Sequence, residues 1–262
     1  MPRAIQQLNG FFTAGAAGTG VATPMTGDTF TVPSVTPGTP SRLEQVWATG
    51  ASTDFVRIRS PRMHDANQGL RLRVGATTQL PLLPWSVDQP LFPLDTPIVE
   101  IDETAAATGA IGVIYEYEDL PGVNPRLATW DEVDPRIINV MGCDVSVGAI
   151  GAIGAYSAGN ALNSLFDNFE AGYDYAWLGY EVAAARHAIS LSGPDTSFLK
   201  VGGPGALQPQ VTSDWFQRAA RITGRAFIPI IAANNKQSTL VFQTDNAASA
   251  ATNVTLILAQ LR

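Results

Sequence analysis

Two hairpins repeat at a fixed distance, and that repeat constrains the chain more than any other feature. Ile98-Val99-Glu100-Ile101-Asp102 is followed by a small-residue turn and then by Gly109–Asp119. Leu240-Val241-Phe242-Gln243-Thr244-Asp245 is followed by a similar turn and then by Thr252–Arg262. A shift of 143 residues lays Asp102 on Asp245 without a gap. All four segments are rich in β-branched, aromatic and aliphatic residues and are predicted strands. The match is one of pattern rather than identity, and it predicts one β-unit written twice.

Further echoes keep the same order. Gln45-Val46-Trp47-Ala48 returns as Tyr175-Ala176-Trp177-Leu178, and Ser60-Pro61 as Ser192-Gly193-Pro194. Leu72-Arg73-Val74-Gly75 returns as Leu199-Lys200-Val201-Gly202, and Leu80-Pro81-Leu82-Leu83 as Phe227-Ile228-Pro229-Ile230-Ile231. Between the copies, Asp119–Arg136 is acidic and proline-rich, the chemistry of a connector. Its carboxylates suit a hard cation, but their spacing matches no EF-hand loop, so a structural calcium ion is possible without a motif to support it. Met1–Pro40 is rich in Gly, Ala, Thr and Pro and is predicted to be an extended arm ordered against a neighbour. The predicted organisation is arm 1–40, first unit 41–120, linker 121–136 and second unit 137–262.

Two helices are predicted, both in the second unit. Ala161–Ala171 spaces Leu162, Leu165, Phe166 and Phe169 at helical intervals, with Asn160 as cap. Ser213–Thr223 has Ser213 as N-cap, Gly224 as stop and an apolar stripe of Trp215, Phe216, Ala219 and Ile222.

Composition narrows the function. The net charge of −7 argues against nucleic-acid binding driven by counterion release. The charged fraction of 15% is low, which suits a surface covered by other subunits, although Ala, Gly and Thr also make exposed surface. One cysteine, Cys143, allows no intrachain disulfide, no thiolate zinc site, and is read as a small buried residue. Two histidines leave little material for a triad or a metal site. The acid–histidine neighbours are Asp54, His64 and Asp65 in the first unit, and Glu181 near His187 in the second. No catalytic, cofactor or metal residue is assigned. Met1–Gly20 lacks the pattern of a signal peptide. Val145–Phe166 is uncharged, but its glycines and asparagines make it strand and loop rather than a membrane helix of about 20 apolar residues.

Phe55-Val56-Arg57-Ile58-Arg59 and Leu70-Arg71-Leu72-Arg73-Val74 both alternate. Alternation turns Val56, Ile58, Leu70, Leu72 and Val74 inward and gathers Arg57, Arg59, Arg71 and Arg73 on one outer face. That face is either solvated or a contact with acidic residues of a neighbouring subunit. The four arginines are the candidate interface residues.

Two tandem β-units, an acidic linker, an N-terminal segment and a helix before the last strands of the second unit together resemble the double jelly-roll major capsid proteins of tailless, membrane-containing icosahedral phages, corticovirus-like and tectivirus-like. The resemblance covers about Arg42 to Arg262. It implies an all-β fold of two jelly-roll sandwiches with short helices in the second. It also implies a homotrimer that imitates a hexamer and a shell in the virion, assembled in the host cytoplasm. The implied partners are further copies, a vertex protein and an internal lipid membrane facing the N-terminal segment. No enzyme activity and no sequence-specific nucleic-acid binding are implied. The alternative is another virion or secreted β-sandwich binding protein, a spike or a carbohydrate-binding module. Trp85, Trp130, Tyr115 and Tyr117 would then be candidate sugar platforms.

Overall fold

The computed structural model describes residues 3–34, 40–50, 52–63, 68–74, 85–152, 154–158, 160–162, 169–183, 187–205, 212–235, 239–243 and 250–262. Among them the first half of the chain forms β1 (Arg3–Thr13), β2 (Gly18–Val21), β3 (Thr23–Pro24), β4 (Ser41–Thr49), β5 (Thr53–Arg59), β6 (Leu70–Arg73), β7 (Trp85–Leu91), β8 (Ile98–Glu103) and β9 (Thr108–Glu118). The second half forms β10 (Leu127–Ala128), α1 (Trp130–Val133), β11 (Ile137–Val147), β12 (Asn160–Ala161), β13 (Asp174–Val182), β14 (Ala188–Ser192), β15 (Val201–Pro204), α2 (Trp215–Thr223), β16 (Ile228–Ala232), β17 (Thr239–Gln243) and β18 (Thr252–Leu261). Short 3-10 turns follow α1, β14 and β16. The chain is an all-β protein of antiparallel sheets.

The four sheets run β3-β1-β9-β4-β7, β2-β8-β5-β6, β10-β16-β13-β18-β11 and β12-β17-β14-β15. With β3 and β10 set aside and the two-residue β12 counted, each half contributes eight strands among the described residues. In both halves one sheet takes the first, eighth, third and sixth of them, and the other takes the second, seventh, fourth and fifth. The repeated hairpins fall on equivalent strands, β8–β9 and β17–β18. Asp245 itself lies outside the described residues, as do Leu80–Leu83.

The other echoes mark the right strands in a slipped register. Trp47 sits on β4 and Trp177 on β13, at the same place in the order, yet they face opposite ways. Trp177 lies opposite Leu258, inside its own sandwich. Trp47 lies opposite Gly112 and turns out of its sandwich into the apolar cluster of the second half. Gly112 is required there, because a Cβ would sit 2.0 Å from the Trp47 ring.

The N-terminal segment is not an arm. β1 pairs along its whole length with β9, from Arg3 opposite Glu118 to Thr13 opposite Thr108. β2 pairs with β8. The first half therefore begins at residue 3 rather than near Arg42. Ala4 and Leu8 face their own core, while Ile5, Gln7 and Asn9 are buried on the other side. A strand covered on both faces loses the alternation that marks a half-exposed one, which hides β1 beside a Gly- and Ala-rich run.

The predicted linker is half-structured. β10 adds to the second half through β16. Thr129 and Glu132 form a reciprocal cap on α1: the Thr129 hydroxyl accepts the Glu132 N–H, and the Glu132 carboxylate accepts the Thr129 N–H at 2.8 Å. The predicted helix 161–171 is not a helix where it is described. Asn160 and Ala161 are strand, Phe169 and Glu170 are irregular, and residues 163–168 lie outside the described set. The later helix, α2, starts at Trp215 with Asp214 at the cap position, one residue beyond the predicted Ser213, and the Asp214 carboxylate pairs with Arg218 instead of capping. It stops at Gly224, φ 65°, whose N–H reaches Ala220. Trp215, Phe216, Ala219 and Ala220 are buried, whereas Ile222 is exposed. Phe216 packs on Trp177 with ring centres 4.5 Å apart.

No helix among the described residues is long and apolar enough to cross a membrane.

Candidate assembly surfaces

Among the described residues the two halves meet in a buried contact. On the first half it uses the outer face of the β1-β9-β4 sheet, bearing Ile5, Gln7, Asn9, Gln45, Trp47, Ile114 and Glu116. On the second half it uses the outer side of β14–β15, and β15 lies against both β1 and β4. Ser190 and Gly202 share that outer side, opposite each other in the ladder. The Gln7 N–H donates to the Lys200 carbonyl at 2.8 Å. A Cβ on Gly202 would meet the Ile189 carbonyl of the paired strand at 1.9 Å and Gln7 Oε1 at 2.6 Å, so glycine is required first by the β14–β15 ladder and then by the approach of β1.

Several polar groups at this contact are paired across it, while Gln7 Oε1, Gln45 Oε1, Trp47 Nε1 and Ser190 Oγ are buried with no hydrogen-bond partner among the described residues. Lys200 Nζ donates to Asp28 Oδ1 at 2.6 Å and lies 4.0 Å from the centre of the Tyr156 ring. The Tyr156 hydroxyl donates to Asp28 Oδ2 at 2.5 Å and accepts from Asn9 Nδ2 at 2.8 Å. His187, buried, places Nδ1 2.7 Å from the Thr49 hydroxyl. Arg225, just past α2, reaches Glu44, Glu116 at 2.9 Å and Asp88 at 3.2 Å. Glu44 is 1% exposed. Burial raises its pKa to about 6, with Glu116 and Asp88 pushing the same way and Arg225 opposing them.

The four candidate arginines come together on the outer face of β5–β6, as alternation requires. Arg57 lies opposite Arg71 on one side and Glu100 on the other. Arg57 Nε donates to Glu100 at 2.5 Å, and Arg59 donates to both of its carboxylate oxygens at 2.9 and 3.1 Å. The hydrogen bonds from Arg59, joined by those from Arg57, hold the Glu100 carboxyl below its usual range against the opposing effect of burial. Arg73 forms a two-oxygen pair with Asp54 at 2.8 and 3.0 Å. Arg71 stacks 3.6 Å over the Phe55 ring. Val56 and Ile58 are buried beneath, and Leu70, Leu72 and Val74 are partly buried against the same core. The carboxylates on this face belong to the same chain, which sequence alternation alone does not reveal: Glu100 is brought in by the β5–β8 pairing.

A second open face lies at the other end of the stack. β11 is an edge strand, and Val140, Gly142, Asp144 and Ser146 all point outward and are exposed. Ile257, Thr255 and Glu181 continue that face across β18 and β13. Thr255 donates to Asp144 at 2.5 Å.

The remaining candidates fall elsewhere. Tyr115 and Tyr117 are buried. Tyr115 donates to the Phe30 carbonyl at 3.0 Å, and Tyr117 to Gln6 Oε1 at 3.1 Å. Burial raises the pKa of both hydroxyls, and the same burial leaves neither ring a surface on which a sugar could stack. Trp130 carries Arg221 4.2 Å over its ring, beside a cavity of about 340 Å³ shared with Asp131. The Trp85 side chain, His64 and Asp65 lie outside the described residues. Cys143 is buried, and burial raises its thiol pKa. Among the described residues, no three His, Cys, Asp or Glu side chains cluster as metal ligands.

No family model and no curated protein matches the chain. Among solved structures, the major capsid protein P2 of bacteriophage PM2 aligns over 99% of this chain and 98% of its own, at 10% identity and a TM-score of 0.25. The T=1 nodavirus of Penaeus vannamei aligns over 96% of this chain and 97% of its own, at 11% identity and a TM-score of 0.19. Superpositions at that level do not establish a shared fold.

Proposed function

We propose that the chain is a double jelly-roll capsid subunit whose copies form a trimer imitating a hexamer. The observation that carries this reading is the strand order. Both halves place their eight strands as two four-stranded sheets in the order that defines a jelly roll, first-eighth-third-sixth against second-seventh-fourth-fifth. Two such rolls fused head to tail are a repeat unit for a closed ring. The low charge content and the two open faces at opposite ends of the stack support the same reading.

The location that follows is the virion shell, with assembly in the host cytoplasm and with a vertex protein and an internal membrane as further partners. The segment expected to face a membrane is taken up by β1 in the first sheet, so contact with lipid would fall to other parts of the subunit.

Light scattering of the purified protein across a concentration series tests the reading. A species at three times 27.7 kDa, or closed shells, is the expected result. A monomer at every concentration overturns it.

A further inference from the structure

Within one chain, the outer face of a first-eighth-third-sixth sheet receives the outer side of the fourth and fifth strands of the next roll. The first roll supplies β1, β9 and β4 to this contact, and the second supplies β14 and β15. Because both rolls share one strand order, each chain has the same pair of surfaces left over. The second roll's β11–β18–β13 face has no roll upon it. The first roll's β5–β6 face likewise lies against no roll.

The two leftover faces complement each other. β5 and β6 carry Arg57, Arg59, Arg71 and Arg73 against one acid of their own, Asp54, with Glu100 and Asp102 beside them on β8. β11, β13 and β18 contain no lysine or arginine, and their acids are Asp144, Asp174 and Glu181. Val140, 51% exposed, and the partly exposed Ile257 give that face an apolar centre, with Asp144 and Glu181 toward one end. An apolar centre bordered by charge suits an interface between subunits.

We infer that the arginine face of β5–β6 in one copy seats on the β11–β18–β13 face of a second copy, repeating between chains the contact made within each chain. The inference rests on the capsid reading above. A contact that joins two different faces of identical subunits is head-to-tail, and it closes into a ring when the rotation permits. Two rolls per chain and three chains give six such contacts around the ring, three within chains and three between them.

The experiment is light scattering on three variants: R71E/R73E, D144R/E181R and the two pairs combined. Circular dichroism confirms that each is folded. Each pair alone is expected to raise the concentration at half-association at least tenfold, and the combined variant to return it to within about threefold of the wild type. V140R, at an exposed apolar position, is expected to weaken association without any change of fold. If the wild type forms trimers and all these variants associate at its concentration, the assignment of faces is wrong while the capsid reading stands. Loss without rescue in the combined variant also overturns the pairing of these two faces. A wild type that stays monomeric overturns the capsid reading and this inference together.

Discussion

The outer sides of β14–β15 and of β5–β6 occupy the same place in the strand order of the two halves and have opposite chemistry. On the first, Ala188, Ser190, Gly202 and Pro204 point out, and all are buried against the other roll. On the second, Phe55, Arg57, Arg59, Arg71 and Arg73 point out, and the arginines stay within reach of water. The contact made once, during folding, is close, with small residues on β14–β15 that admit the backbone of β1 and with charged pairs such as Lys200–Asp28 beside them. The face left open is charged, and each arginine described there is held by a carboxylate or a ring. A paired arginine needs no partner to keep the monomer soluble, yet it presents a fixed positive surface to one. One fold position thus serves as interior or exterior according to side-chain size and charge alone.

That comparison breaks most visibly at Trp47. Trp47→Ala removes a large ring from the contact between rolls and is expected to cost about 3–5 kcal/mol. Chemical denaturation is expected to split into two transitions, because the cluster shared by the halves loses Ile5 and Ile114 as anchored neighbours. Trp177→Ala, inside one roll, is expected to cost a similar amount but to leave one roll unfolding ahead of an intact partner. A single unchanged transition for Trp47→Ala would mean that the rolls are not coupled through this ring.

Arg225→Met comes next. It leaves Glu44 and Glu116 buried without their shared cation, and a loss of about 3 kcal/mol is expected at neutral pH. Urea denaturation checks it. A loss below about 1 kcal/mol would place the network on the solvated side of the contact.

Much of this was legible in the sequence, and the exceptions share a cause. The repeated hairpins, the acidic connector and the gathering of four arginines follow from period-two patterning and turn chemistry. β1 did not, because strands buried on both sides carry no alternation. The opposite facing of Trp47 and Trp177 did not, because bulges in β4 and β13 sit at different points, and each bulge reverses which face the following residues take. The pairing of Glu100 with Arg57 and Arg59 depends on the β5–β8 register, which spans about forty residues and leaves no local mark.

The two arginine–glutamate clusters separate further with pH. Glu44 has its pKa raised from 4.5 to about 6 by burial, so the folded protein binds its proton more tightly than the unfolded chain. Stability is then highest below 4.5 and falls as pH rises toward 6, by about 2 kcal/mol for a shift of that size. Glu100 has its pKa lowered by Arg59 and Arg57. Its contribution is full above the ordinary value and is lost as pH falls through the lowered one. Urea midpoints measured from pH 3 to 7 are expected to lose the upper slope in Glu44→Gln and the lower slope in Glu100→Gln. Exchange of the two effects would mean that solvation at the roll contact has been misassigned.

The smallest effect belongs to the open face itself. Arg71 rests on the Phe55 ring with its charge in water, so Arg71→Ala is expected to cost less than about 1 kcal/mol of monomer stability. Gly202→Ala, on the equivalent strand of the other half, drives a methyl into the Ile189 carbonyl of β14 and against Gln7, and is expected to cost several times more. The contrast sets an open position against a filled one: deleting most of a long charged side chain from the open face does less harm than adding one carbon where the paired strand and the other half both close in. Equal losses in the two variants, read from urea midpoints at pH 7, would mean that the arginine face already supports the folded monomer and that its charge has been fixed by folding rather than kept for a partner.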